Sequence, residues 1–400
     1  MIDFTPDPMQ QQLIETARKF GRDHVAPAEI ALDKIGDPKE TFAADAYWSV
    51  LAQACELGFH KMGIMEEYGG LGLDAQSIGL VWEELAFHGA GFTASLIASS
   101  VAQQLITVMA SHNKELIDQY VLPFCADRTG RKFSAWGSSE PNVGSDGKNY
   151  YDPNVRHHTT AVKKDGGWSI SGTKSDFVSN AGIADVFVIF ANVDPALGIR
   201  GSGAFIVPAD APGVQRGLPI DKLGLRVLNQ AALYFEDVWI PEGNMIFPPG
   251  EGFPMLHQMI ITVGSLAVGY LAVGLMRAAY QEALEYSKVR VQWGKPIFEH
   301  QLVARKLFEC YQTIEAARAL LWKASWLART RFPGDLKASL AGRIFATDNA
   351  IRHTAEMVQV LGGYGISKEY KLEKYLRDAK LLQIMDGTNE TLMMKAAAQL

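Results

Sequence analysis

The sequence predicts an α+β, multi-domain chain: an N-terminal helical domain, a middle β barrel or sandwich, and a C-terminal four-helix bundle. Three observations lead there. The chain has 400 residues, too many for one ordinary core. Apolar residues recur at helical spacing near both ends. Only the middle carries short runs of β-branched and aromatic residues, separated by Gly, Pro, Asn and Asp. The boundaries drawn on this basis are 1–125, 126–243 and 244–400.

In the first domain Thr5 is expected to cap a helix that has Pro6 at its first position. Met9, Leu13, Ala17 and Phe20 then repeat at helical intervals. Ala44 to Leu57 and Leu80 to Ala90 carry similar patterns, with the glycine-rich MEEYGGLGLD between them. In the second domain Asp185 to Ala191 (DVFVIFA), Ala204 to Pro208 (AFIVP) and Leu233 to Ile240 (LYFEDVWI) read as strands. Trp168 to Ser171 alternates between the turn Asp165-Gly166-Gly167 and Gly172. In the third, Val303, Leu307, Cys310, Ile314, Ala317 and Leu321 form a near-heptad seam, the mark of bundle or subunit packing. Leu340 to Leu361 is a further helix, stopped by Gly362-Gly363.

Composition removes several function classes. Lys+Arg 38 against Asp+Glu 44 leaves a net charge of -6, which argues against nucleic-acid binding through phosphates. Cys55, Cys125 and Cys310 are odd in number and far apart, which suits a reducing compartment and neither a disulfide scaffold nor a zinc site. No apolar run is expected to reach the roughly 20 residues that span a bilayer. The start, MIDFTPDPMQ, resembles neither a signal nor a transit peptide, so a cytoplasmic location is expected. The dinucleotide GxGxxG, the Walker A loop, HExxH and GxSxG are all missing. His157 and His158 are adjacent, would point to opposite faces of a strand, and are expected to be ordinary surface or loop residues. No metal site is expected.

Five stretches, read in order, point elsewhere: YGGLGLD (Tyr68 to Asp74), FSAWGSSEPNVGSD (Phe133 to Asp146), FEDVWIPEGN (Phe235 to Asn244), RVQWGKPIFEHQ (Arg290 to Gln301), and QVLGGYG (Gln359 to Gly365) followed by RDAKLLQIMDGTNE (Arg377 to Glu390). Together they resemble the acyl-CoA dehydrogenase family of flavoproteins over essentially the whole chain. The family's helical, β and helical-bundle domains match the segmentation above.

That resemblance implies FAD as cofactor, an acyl-CoA substrate, an electron-transferring flavoprotein as acceptor and a homotetramer. It places the flavin against Trp136, Ser138 and Ser139, whose N–H and hydroxyl groups can satisfy the polar edges of a buried ring. Phe177, Val178 and Ser179 fall where the family has Trp-Ile-Thr beside the flavin, after one extra residue following Lys174. Phe177 and Ser179 are therefore cofactor candidates. Arg290 and Gln292, with Trp293 in the usual Phe position, resemble the contact to the FAD pyrophosphate, a group that a guanidinium fork pairs with well. In the family this arginine serves the flavin of a neighbouring subunit, as do Gln359 and Gly363. Thr388 and Glu390 fall on the cofactor side. Ser145 and Gly387 fall on the substrate side, with Asp146 serving either the substrate or the turn.

The family's usual base is a glutamate before Gly-Thr; here Asp386 precedes Gly387-Thr388. A carboxylate suits removal of a proton α to a thioester carbonyl while the β-hydride leaves for flavin N5, and burial would strengthen it as a base. Aspartate reaches about 1.5 Å less far. The alternative base position on the first bundle helix and the arginine beside it are Gly264 and Ser265. The arginine usually seven residues after the base is Met393. This less charged site implies room for a bulky, branched or cyclic acyl group. If Asp386 is not the base, the loop at His88 is the next place to look. Two other functions compete with the dehydrogenase: a nitroalkane oxidase, a relative that uses aspartate here, and a non-catalytic CoA- or flavin-binding scaffold.

Overall fold

The computed structural model of the chain describes residues 5–400. Helix α1 (Pro8–Phe20) starts two residues later than Thr5-Pro6 suggests. Asp7 accepts the Gln10 N–H at 2.8 Å, and the Gln10 side chain accepts the Asp7 N–H at 3.1 Å. This reciprocal box outcompetes a lone threonine cap. Ala17 and Phe20 are buried, while Met9 faces out at 51% exposure. Helices α2 (Asp45–Glu56) and α3 (Ala75–His88) follow their patterns.

The middle domain is one mixed sheet of eight strands: β1 (Ser134–Gly137), β2 (Thr160–Lys164), β3 (Gly167–Ser179), β4 (Val186–Asn192), β5 (Ser202–Pro208), β6 (Val214–Arg216), β7 (Gln230–Pro241) and β8 (Met245–Phe247). The spatial order is β6-β7-β3-β2-β4-β5-β8, with β1 added parallel to β4. Strand β8 carries the sheet three residues past Gly243–Asn244, into the segment assigned above to the bundle. DVFVIFA does not alternate because β4 is buried on both faces. Phe187 and Ile189 pack with Trp168, Ile170, Leu233 and Phe235 in the sheet's own core. Val186, Val188 and Phe190 join the core shared with the helices. A strand covered on both sides reads as a continuous apolar run.

The C-terminal part holds α4 (Phe253–Val289), α5 (Gln301–Thr330), α6 (Leu336–Leu361), α7 (Leu372–Leu382) and α8 (Asn389–Ala397). Leu307, Cys310, Ile314, Ala317 and Leu321 are all buried, and Val303 is half-buried. Gly362, at φ 58°, ends α6. Helix α4 corrects one expectation: its 37 residues are long and apolar enough to cross a bilayer, as is the interrupted stretch Ala90–Met109. Most of each is buried inside the protein. In α4 the pressure is packing, since a Cβ on Gly79 of α3 would lie 2.2 Å from the Tyr270 ring. A second correction concerns His157. It is only 2% exposed, its Nδ1 lies 2.8 Å from Ser202 Oγ, and it packs against Phe190. His158 faces solvent, as alternation along an extended chain requires.

Candidate active site

The turn that carries Ser138 and Ser139 is braced from below. Glu140 follows it, and its carboxylate accepts N–H bonds from His158 at 2.6 Å and Thr159 at 3.0 Å, and Lys174 Nζ at 2.6 Å. Lys174 also reaches the Phe190 carbonyl at 2.6 Å. Both side chains of the pair are buried. Burial opposes the Glu140 charge, but the Lys174 ammonium and the N–H donors outweigh it and hold the carboxyl below its ordinary value. Ser139 accepts the Ser175 N–H at 3.0 Å, which pins the turn to β3. The β3–β7 register slips between Lys174 and Val178, where the reading of the sequence inserted a residue. Phe177 is 67% exposed, Val178 is buried, and Ser179 Oγ accepts from Gln230 Nε2 at 3.3 Å. Trp136 Nε1 and Ser175 Oγ are buried without a partner. Orphan polar groups of this kind cost about 1–3 kcal/mol each when nothing pairs them.

The Asp386 loop joins α7 to α8. Arg343, fully buried in α6, donates to the carbonyls of Met385 and Gly387. Asn389 anchors the other side, donating to Thr347 Oγ1 and Asp348 Oδ1 at 2.8 Å each. Asp386 itself is exposed, with φ 53°, so the single chain does not bury it as expected. Aspartate is among the few residues that tolerate this left-handed backbone. Thr388 caps α8, and its N–H donates to Ser145 Oγ at 3.2 Å. That bond joins the β domain to the Asp386 loop. Asp146 accepts the Gly144 N–H at 2.8 Å and so serves the turn. Glu390, in the first turn of α8, is exposed.

The Lys148 side chain runs past Gly387, where an added Cβ would lie 2.6 Å from its Cε and 2.9 Å from its Nζ. Burial pushes Lys148 down to about 8 and Arg343 to about 10, while the Asp386 carboxylate pulls both back up. The reading of the sequence missed both cations. Arg343 carried a usable signal, a lone charge in an otherwise apolar helical stretch. On α4, a Cβ on Gly264 would meet nothing within 4 Å, and Ser265 Oγ is buried without a partner. Met393 is half exposed. His88 sits against Gly21, 3.9 Å from Glu84, and burial pushes it down to about 4. It belongs to a cluster with Arg277 of α4, about 30 Å along that helix from His257, which packs on Trp136. His88 therefore does not face Asp386.

The remaining cofactor candidates meet elsewhere. Arg290, Gln292, Trp293, Gln359 and Gly363 line one groove of about 1210 Å³. Trp293 and Gly294 form the left-handed tip of a hairpin between β9 (Val291–Gln292) and β10 (Lys295–Pro296). Trp293 is 93% exposed. The Arg290 guanidinium lies 5.9 Å from the Tyr364 ring centroid and forms no ion pair among the described residues. A Cβ on Gly362 or Gly363 would meet nothing within 4 Å, so main chain is open to a ligand there. Arg290 follows the last residue of α4, about 50 Å along the helix from His257. One chain therefore does not bring Arg290 and Trp136 to the same small molecule.

Comparison with known proteins covers all three segments. Family models match in order: acyl-CoA dehydrogenase N-terminal domain at residues 7–127, middle domain at 135–238 and C-terminal domain at 250–400. The short-chain-specific acyl-CoA dehydrogenase of Megasphaera elsdenii is 34% identical over 399 residues, covering 98% of each chain. The cyclohexane-1-carbonyl-CoA dehydrogenase of Geobacter metallireducens is 32% identical over 380 residues, 94% of this chain and 93% of that one. The structure of butyryl-CoA dehydrogenase from Megasphaera elsdenii superposes with a TM-score of 0.88 at 32% identity, covering 99% of both chains.

Proposed function

Because this chain belongs to the acyl-CoA dehydrogenase family, we propose that it oxidises a CoA thioester across its α,β bond with Asp386 as base. It is an oxidoreductase acting on CH–CH donors, and its cofactor is FAD, which sets the scaffold reading aside. FAD, when bound, supplies the acceptor for the hydride that leaves the β-carbon. The residues present fit it. Trp136 Nε1 and Ser175 Oγ are buried donors without partners, beside Ser138, Ser139, Phe177 and Ser179. Arg290, Gln292, Trp293, Gln359 and Gly363 offer a guanidinium, amides and open main chain in the second groove. Thr388, tied to Ser145, and Glu390 of α8 are assigned to the cofactor side.

The observation that carries the base assignment is the clamp on its loop. Arg343 holds the carbonyls on both sides of Asp386, and Thr388 ties the loop to Ser145. A base so held keeps a carboxylate oxygen in one place, which positioned proton transfer requires. Asp386 takes the α-proton on that oxygen, while Ser145 and the main chain of Gly387 face the thioester. The space beside Gly264 and the similarity to an enzyme named for a cyclic acyl-CoA support a bulky, branched or cyclic acyl group. Electrons leave to an electron-transferring flavoprotein.

The split between Arg290 and Trp136 supports a homotetramer in which each chain completes its neighbour's cofactor site. Exposed Leu302 and Phe308 on α5, and Trp293 beside them, give it an apolar surface to bury. Three buried, free cysteines suit the cytoplasm. The test is anaerobic bleaching of the flavin by a panel of acyl-CoAs. Bleaching by at least one, with slow reoxidation by oxygen, is expected. No bleaching, together with rapid peroxide formation from nitroethane, would transfer the case to the nitroalkane oxidase.

A further inference from the structure

The Glu140–Lys174 pair braces the Ser138–Ser139 turn, and it also places one sign of charge beneath that turn. Both side chains are buried and meet at 2.6 Å. Lys174 Nζ is fixed from a second side by the Phe190 carbonyl at 2.6 Å, and lies 3.5 Å from the Ser138 carbonyl. The Glu140 carboxylate spends its remaining bonds on the N–H groups of His158 and Thr159, at 2.6 and 3.0 Å. Among the described residues, the end of the pair that bonds to Ser138 is therefore the positive one. His157 joins it from below. Its buried ring is held by Ser202 Oγ at 2.8 Å and also hydrogen-bonds the Ser138 backbone.

The Ser138 carbonyl and the Ser139 N–H belong to one peptide group. Donors on the carbonyl, one of them charged, draw electron density from that group and strengthen its N–H as a donor. Ser139 is exposed, its carbonyl accepts the Ser175 N–H at 3.0 Å, and its own N–H donates to no protein acceptor among the described residues. A polarised N–H is thus left free on the turn to which the flavin is assigned. His157 adds no charge, because burial and then the Lys174 ammonium keep it neutral. Burial also opposes the charge on Lys174, and Glu140 supports it. Buried pairs are poor stabilisers, since apolar replacements are often neutral or better, so bracing alone gives little reason for charges here.

We propose that Lys174, held by Glu140, is a positioning residue for the redox step: through the Ser138–Ser139 peptide its charge favours reduced over oxidised flavin. The inference rests on the assignment of that turn to the cofactor and adds what tunes the cofactor's affinity for electrons. Reduction makes the flavin ring electron-richer, and a stronger donor fixed at its polar edge binds the richer form better. Unequal binding of the two forms is a shift in reduction potential, whereas an equal gain would change only retention.

The test is the midpoint potential of the flavin in the holoenzyme, measured by anaerobic equilibration with reference dyes. Glu140→Gln combined with Lys174→Met removes both charges together, a replacement that buried pairs commonly tolerate. It should favour oxidised over reduced flavin about 3- to 10-fold, a fall of about 15 to 30 mV. Glu140→Gln alone leaves the ammonium uncompensated and, measured at pH 6, should raise the potential. Shifts of opposite sign are the signature of charge, because a turn that is merely loosened moves both variants the same way or neither. An unchanged potential in either variant that folds, or a fall in both, overturns the proposal. Ser138→Ala combined with Ser139→Ala tests the assignment beneath it, and should weaken FAD retention on dilution. If retention weakens while the potentials of the charge variants stay put, only the role of Lys174 falls. If neither retention nor potential responds to any of these changes, the turn does not face the flavin and both readings fall.

Discussion

The two ends of helix α4 are built on different terms. At its start, Trp136, Tyr150 and His257 close around buried polar atoms, and the neighbouring Asp386 loop is held by Arg343 and Asn389. At its end, Arg290 and Trp293 stand exposed over a groove where a Cβ on Gly362 or Gly363 would meet nothing within 4 Å. The first end assembles its chemistry within one chain, with interior braces such as Glu140–Lys174 under it. The second presents ligand-binding groups without a lid and exposes apolar residues nearby. Stability and catalysis should therefore respond to changes at the start of α4, and cofactor retention to changes at its end.

The largest effect should come from the base. Asp386→Asn keeps the loop's shape and removes the basic oxygen, so flavin reduction by acyl-CoA should slow about 100- to 10,000-fold, measured by stopped flow. Reduction at the parental rate would place the base elsewhere. Next is the brace. Glu140→Gln leaves Lys174 buried without its counter-charge, a loss of about 3–5 kcal/mol, read by urea denaturation of the holoenzyme. If stability hardly changes, the Ser138–Ser139 turn is not held from below.

At the open end, Arg290→Ala should weaken FAD retention about 10- to 100-fold, the range for a charge-assisted hydrogen bond, and leave the melting of the apoprotein almost unchanged. Full cofactor occupancy after dilution would remove Arg290 from the pyrophosphate. The smallest effect should come from Asp386→Glu. Its left-handed backbone costs a glutamate about 1 kcal/mol more, and the longer side chain fills space next to the substrate. Bulky esters should lose rate while slim straight-chain ones lose little. A uniform gain across all esters would mean that backbone and space place no demand for aspartate at this position.

Much of this architecture was legible in the sequence because it is encoded locally. The α5 seam from Leu307 to Leu321 shows in the spacing of its apolar residues, and DVFVIFA shows as a strand. Asp386 could be singled out because Gly387-Thr388 follows it. The helix start was misplaced because Thr5 and Asp7 offer competing caps, and only Asp7 has Gln10 to complete the box. The membrane-length character of α4 was missed because scattered glycines, a histidine and a serine break the run to the eye. In the fold Gly274 and Gly269 let Glu83 and Leu321 pack closely.

The sequence by itself determined the order of helical, β and helical segments, the residues that resemble a flavoenzyme, and an aspartate where a glutamate is usual. These are matters of side-chain period and short motifs, which neighbours along the chain decide. Only the tertiary structure decided that Lys148, Tyr150, His257 and Lys395 meet, that Arg343 grips the Asp386 loop, and that Arg290 lies far from Trp136. Those relations join positions up to 247 residues apart through helix packing and loop closure. No local pattern carries them, because the energies that set them arise only once the segments are buried against one another.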